Sequence, residues 1–182
     1  MVVRHADAAR DAAACSEIYS PFVNASAVSF EEVPPDPDEF ARRIDRVSAT
    51  HPWLVADRDG QVVGFAYASA HRDRAAYRWA ADVAVYVAEG SRRHGVGKQL
   101  YRSLLDLLVR QGLQVACAGI TLPNDASVAL HESFGFRPVG VYRRIGWKAG
   151  AWRDVGWWEL ELLEPDPNPP AEPRPPARLE DL

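Results

Sequence analysis

Two cysteines and one methionine in 182 residues leave this chain poor in sulfur. Cys15 and Cys117 each sit in an apolar stretch, without CxxC or histidine spacing, which excludes a disulfide framework and a cysteine-built metal site. Both read as small core residues, and no metal is expected. Long apolar runs are also missing. Nothing approaches the roughly 18 apolar residues of a membrane span, and the start MVVRHADAARD has no signal-peptide core. No membrane association is expected, and the cytoplasm is the expected compartment. Charge of one sign is not in excess either: 21 Lys+Arg against 25 Asp+Glu give −4. No whole-protein field gathers nucleic acid, so an anion site has to be local. Self-similarity at a period of about 20–50 residues is absent, which argues against solenoids and propellers. What is present is globular: 47% hydrophobic and 25% charged residues in 20.2 kDa, enough for one core.

Proline is concentrated at one end. Residues 164–182 hold seven of the 14 prolines, a composition that neither continues a helix nor ladders into a sheet. A domain over 1–163 followed by a disordered tail is the expected organisation. Within the domain the apolar period changes repeatedly. Val2-Val3 opens a strand, and Ala8 to Phe22 is a helix with Ala12, Cys15, Ile18, Tyr19 and Phe22 on its dry side. Asp38 after the PPDP turn reads as the N-cap of a helix over Glu39–Val47. Trp53–Ala56 and Val62–Ser69 flank a DRDG hairpin signal. Ala80–Ala88 is a strand, Gly95–Arg110 an amphipathic helix closed by Gly112, and Val115–Leu122 an almost wholly apolar strand. A helix from Asn124 to Phe134 and strands over Val139–Trp147 and Val155–Leu163 complete the order. Strands alternating with helices predict an α/β (α+β) chain, a mixed central sheet flanked by helices on both faces.

The most specific local signal is Arg92-Arg93-His94-Gly95-Val96-Gly97-Lys98, between a strand and a long helix. A glycine-rich turn at a helix N-terminus aims several N–H groups and the positive helix end at one spot, and the basic residues add charge. That is a phosphate site, or else only a tight helix entry. It lacks both the dinucleotide GxGxxG and the Walker GK[ST], so a nucleotide enzyme is disfavoured.

The pattern [RQ]-x-x-G-x-G after a strand resembles the acyl-CoA pyrophosphate loop of the GNAT N-acetyltransferase superfamily. Further segments resemble its phosphinothricin N-acetyltransferase-like branch: PWLVA at 52–56, AAYRW at 75–79, VYV at 85–87, LPNDASV at 122–128, His131-Glu132 and WRDVG at 152–156. The resemblance spans residues 2–163 and implies a GNAT fold with acetyl-CoA as acetyl donor. It implies a strand edge at Val85, Tyr86 and Val87 that ladders with pantetheine, and amides from Arg93 to Lys98 that cap the pyrophosphate. Arg92, Arg93 and Lys98 would neutralise its charge, and His94 would contribute chiefly backbone. Asn124 would reach the pantetheine arm, or serve as a plain N-cap.

The resemblance also implies a strand glutamate that takes the amine proton; here Asp82 stands in its place. The shorter carboxylate acts directly, acts through water, or merely pairs with an arginine. His131 falls where the superfamily has a thiolate-protonating tyrosine, and it is either that acid or a packing residue. Phe30, Arg72, Arg74 and Tyr77 match an acceptor pocket for an amino acid with a second acidic group, which guanidinium forks suit. HRDRAAYR equally describes a solvated loop, and Phe30 a core anchor. Arg143, Lys148 and Trp152 belong to the last hairpin, which by the resemblance faces a partner's site in a homodimer. The leading expectation is an N-acetyltransferase acting on a small amino acid or analogue. A GNAT-fold module that holds acyl-CoA without turnover is the alternative.

Overall fold

The computed structural model describes residues 1–164, 166, 168, 170–177 and 179. The elements are β1 (Val2–His5), α1 (Ala8–Asn24), α2 (Pro37–Ser48), β2 (Trp53–Arg58), β3 (Gln61–Ala70), β4 (Ala80–Val87), α3 (Val96–Gln111), β5 (Val115–Leu122), α4 (Asp125–Glu132), β6 (Arg137–Lys148) and β7 (Ala151–Glu161). The mixed sheet with helices on both faces is present, in seven strands ordered β1-β2-β3-β4-β5-β7-β6.

Two boundaries correct the sequence reading. The cap of α2 is Asp36, not Asp38: its side chain accepts from the Glu39 N–H at 2.8 Å. Pro37 then takes the first helical position, where its missing N–H costs nothing. Strand β7 starts at Ala151, four residues earlier than expected. Ala149 and Gly150, at φ 51° and 71°, close a tight turn that pairs Lys148 with Ala151.

Alternating strand residues feed a core on each face. On one, α1 and α2 bury Cys15, Ile18, Tyr19, Phe40 and Ile44 against Trp53, Val55 and Phe65. On the other, α3 buries Leu100, Leu104, Leu107 and Leu108 against Leu54, Ala66 and Ala116. Trimming one such leucine to alanine costs about 2–5 kcal/mol. Ser16 of α1 is buried with its hydroxyl satisfied, its Oγ donating to the Pro35 carbonyl at 2.8 Å. The proline-rich segment, expected to be solvated, makes contacts where it is described. Trp79 Nε1 donates to the Ala171 carbonyl at 2.8 Å, and the Arg174 N–H to the Gln111 carbonyl at 2.8 Å. The segment thus accepts at Ala171 and donates at Arg174, one of its residues that keep a backbone N–H. Residues 165, 167, 169, 178 and 180–182 lie outside the described residues.

The feature that positions the site is a split in the sheet. Strands β4 and β5 run parallel and pair only from Ala80–Val115 to Asp82–Cys117. Beyond that, β4 continues with β3 to Val87 and β5 with β7 to Leu122. From Val83 onward the facing edges diverge into a wedge.

Candidate active site

Asp82 stands at the head of the wedge. Its Oδ1 lies 2.6 Å from His71 Nδ1. The Ser69–Asp82 register makes His71 a diagonal neighbour of Asp82 across the β3–β4 hairpin. Burial pushes the Asp82 carboxyl above its ordinary range, while the His71 bond and the Arg72 charge pull the other way. The partner of this carboxylate is therefore a histidine, not the arginine that a paired strand residue suggested. Cys117 faces the same point from β5. The donor atoms of His71, Asp82 and Cys117 all lie within 4.8 Å of one another. Cys117 is half-buried at the site's edge, unlike fully buried Cys15, and burial lifts its thiol to about 11.

Deeper in the wedge, a cavity of about 70 Å³ is lined by Val83, Ala84, Val85, Tyr101, Asn124 and His131, among others. His131 is only 3% exposed. Its Nδ1 lies 2.7 Å from the Ser127 carbonyl, which can only accept, so Nδ1 carries the proton. In the neutral ring Nε2 then accepts from the Tyr101 hydroxyl at 2.8 Å. Burial lowers the His131 pKa, with the Ser127 bond opposing, and holds the Tyr101 hydroxyl well above the usual phenol value. His131 is thus neither a surface histidine nor a free one. Asn124 is the N-cap of α4, its Oδ1 accepting from the Ser127 N–H at 3.2 Å.

At the open end, Gly95 caps α3 at φ 78° with no side-chain cap, so the first-turn amides have no side chain to bond. A groove of about 770 Å³ runs past Val87, Arg92, Arg93, Gly97, Lys98 and Leu130. A Cβ built on Gly97 would sit 3.5 Å from Leu130 Cδ2 and 3.8 Å from Val87 Cγ2, filling the groove floor. Arg93, His94 and Lys98 are exposed. Arg92 is partly engaged: its guanidinium lies 5.0 Å from the Phe22 ring centroid, and its Nε 3.4 Å from the Val87 carbonyl oxygen. The His94 ring turns back to the Arg92 carbonyl at 2.7 Å. Val87 and Val85 line this side of the wedge. The Tyr86 ring points to the other face, packed 4.8 Å from Tyr19 and 5.2 Å from Phe65.

Across the sheet from α3, Trp157 of β7 covers Gly119, where a Cβ would meet the indole at 3.2 Å. The Arg72 guanidinium lies 5.8 Å from that indole, and the His71 ring meets it edge-on at 5.8 Å. Tyr77 also meets His71 edge-on, at 5.8 Å. Arg72 and Tyr77 are thus brought together with Asp82; Arg74 is exposed at the start of the short turn Ala75–Tyr77. Phe30 lies against β6 so closely that a Cβ on Gly146 would meet its ring at 2.2 Å, and Lys148 Nζ donates to the Glu31 carbonyl. The loop between α1 and α2 is therefore clamped to the last hairpin. Its Glu31 accepts from Arg43 at 2.8 Å and from the Tyr19 hydroxyl at 2.9 Å. In the same hairpin Arg143 is exposed, 3.5 Å from Asp154, and Trp152 packs edge-on against Trp147.

His71, Tyr101, Cys117 and Trp157 escaped the sequence reading of the site. His71 was findable from the hairpin register, and Tyr101 as a hydroxyl on the leucine face of α3.

These features define a class, the GNAT-fold acyltransferases, and comparison with known proteins agrees. Residues 5–157 match the family model described as an acetyltransferase (GNAT) domain. A crystal structure of a GNAT superfamily phosphinothricin acetyltransferase from Sinorhizobium meliloti in complex with AcCoA superposes with a TM-score of 0.89 at 34% identity, over 94% of this chain and 93% of that one. The phosphinothricin N-acetyltransferase of Streptomyces viridochromogenes is 40% identical over 94% of this chain and 93% of its own length. An L-methionine sulfoximine/L-methionine sulfone acetyltransferase of Salmonella typhimurium is 34% identical over 90% and 96%. The chain belongs to the GNAT acetyltransferase family, in its phosphinothricin N-acetyltransferase-like branch.

Proposed function

We propose that this chain is an acetyl-CoA-dependent N-acetyltransferase whose acceptor is the amine of a small amino acid or analogue of the phosphinothricin and methionine sulfone type. The observation that carries this reading is the wedge, with a carboxylate at its head and a glycine-capped helix at its mouth. The residues fit the donor. Amides from Arg93 to Lys98 receive the pyrophosphate, with Arg92, Arg93 and Lys98 supplying charge and Gly97 leaving the floor open. Val85, Tyr86 and Val87 offer backbone to the pantetheine amides, and Asn124 lines the same wedge.

Overall, the acceptor ammonium loses two protons; one ends on the thiol of CoA and one goes to solvent. Asp82 removes the first, directly or through an intermediary, which frees the nitrogen pair to form the C–N bond while the C–S bond breaks. The Tyr101–His131 pair lines the wedge where the leaving thiolate is protonated: the proton delivered is the second one lost by the amine, and the pair relays it so that the Tyr101 hydroxyl, hydrogen-bonded to His131 Nε2, ends protonated as it began. Phe30, Arg72, Arg74 and Tyr77 receive the acceptor, Arg72 and Arg74 pairing with its acidic groups.

The same reading makes residues 1–163 the catalytic domain, with 164–182 an appended segment. It makes the enzyme a cytoplasmic homodimer with no nucleic acid or membrane partner. Edge strand β6 exposes Val139, Val141, Tyr142, Ile145 and Trp147, an apolar edge that a second copy would cover. Among the described residues, no helix is long and apolar enough to cross a membrane.

Thiol release from acetyl-CoA, followed with a panel of phosphinothricin, methionine sulfone, methionine sulfoximine and common amino acids, tests the function. Acceptor-dependent release with an N-acetylated product is expected. Tight acetyl-CoA binding with no release on any amine would make the chain a non-catalytic acyl-CoA-binding module.

A further inference from the structure

We propose that the group taking the acceptor's proton is the imidazole of His71, with Asp82 as its positioning residue. This rests on the acetyltransferase reading above and names the atom that performs its first step. An ionised carboxylate can only accept, so the 2.6 Å contact is an Nδ1–H donated to Asp82 Oδ1. That bond fixes the tautomer and leaves the lone pair on Nε2. Among the described residues Nε2 has no hydrogen-bond partner, and the ring is packed edge-on against Tyr77 and Trp157, each at 5.8 Å.

Three considerations favour the ring over the carboxylate. Asp82 has one oxygen committed to His71 and a side chain too short for the reach a glutamate would have. The imidazole carries the basic atom past it. The imidazole is also two-sided: Nε2 can take a proton while Nδ1–H stays on Asp82, so acting as the base does not break the pair. Position agrees as well: His71 and Arg72 border the same Trp157 indole. An amino acid whose acid group pairs with Arg72 has its ammonium beside His71.

The step balances. The ammonium N–H bond breaks, its proton moves to His71 Nε2, and the imidazolium formed is stabilised by the Asp82 carboxylate. The nitrogen pair then forms the bond to the acetyl carbon. Among the described residues, other ionisable groups facing this ring are few. They are Tyr77 from the turn before β4, Arg72 beside it, Cys117 from β5, and Glu159 of β7 beyond Cys117.

The test compares His71→Gln, His71→Ala and Asp82→Asn, with phosphinothricin and L-methionine sulfoximine as acceptors and acetyl-CoA affinity measured for each. A glutamine amide still donates to Asp82 but accepts no proton. His71→Gln should lower kcat by roughly 10²–10⁴ with acetyl-CoA affinity unchanged. The acid limb of its kcat/KM profile should vanish. Imidazole added to His71→Ala should restore turnover in proportion to its unprotonated fraction, an effect that a structural role for His71 would not produce. Wild-type kcat in His71→Gln beside a collapse in Asp82→Asn would overturn the proposal and leave Asp82 as the base. Wild-type kcat in both would overturn the assignment of base chemistry to this pair altogether.

Discussion

The Tyr101 hydroxyl lies 2.8 Å from His131 Nε2, buried under the wedge, while the other ring nitrogen is spent on the Ser127 carbonyl. A histidine held this way is neutral in the folded protein and is oriented as an acceptor. The two side chains line the cavity in the wedge together.

Tyr101→Phe is therefore expected to lower kcat by about 10²-fold, the lower end for loss of a general acid, with acetyl-CoA affinity unchanged. Steady-state kinetics with calorimetry checks this. An unaltered kcat would remove the pair from thiolate protonation.

A pH dependence follows from the same burial. Burial lowers the His131 pKa, so the unfolded chain binds a proton more readily than the folded one. The stability this histidine supports is present above the ordinary imidazole value of about 6.5 and is lost as pH falls below it. Thermal midpoints should drop between pH 7.5 and 5.5, and the drop should be smaller in His131→Gln. An equal drop in both would assign it to other groups, His51 among them, which burial also lowers.

Gly97→Val should weaken acetyl-CoA binding at least about tenfold while the fold persists. A Cβ there meets Leu130 and Val87 at ordinary contact distances, so its own chain tolerates it, and the groove it fills does not. Unchanged calorimetric affinity in a folded variant would take the loop out of the donor site.

Arg72 and Arg74 occupy different places, and their variants should differ. Arg72→Ala, beside Trp157 and Asp82, should raise the acceptor KM more than Arg74→Ala, with little change in acetyl-CoA affinity. A larger effect at Arg74 would mean that the short turn closes over the acceptor.

Much of this was legible in the sequence, for identifiable reasons. Val115–Leu122 is bounded correctly because it is a near-continuous apolar run between Gly112 and Pro123, although only its alternate residues Ala116, Ala118 and Ile120 are buried, and Gly95 and Gly112 mark both ends of α3 because positive φ excludes most residues. The α2 cap was misplaced by two residues because two aspartates flank Pro37, and only the proline's preference for the first turn separates them. Strand β7 was started late because Ala149-Gly150 lacks the polar residues that usually announce a hairpin. For the site, Asp82 and His131 stood out by position, but their partners did not. His71 is joined to Asp82 by strand register, and Tyr101 to His131 by helix packing, neither of which is local in sequence.

The central claim, that the carboxylate at the head of the wedge drives acetyl transfer, is met most directly by one paired measurement on Asp82→Asn. Acetyl-CoA affinity is read by calorimetry and kcat by thiol release with the best acceptor of the panel. The account predicts an unchanged affinity and a kcat lower by roughly 10²–10⁴, because replacing this one carboxylate by an amide removes the negative charge without removing the donor site. Wild-type kcat in a folded Asp82→Asn variant would contradict it.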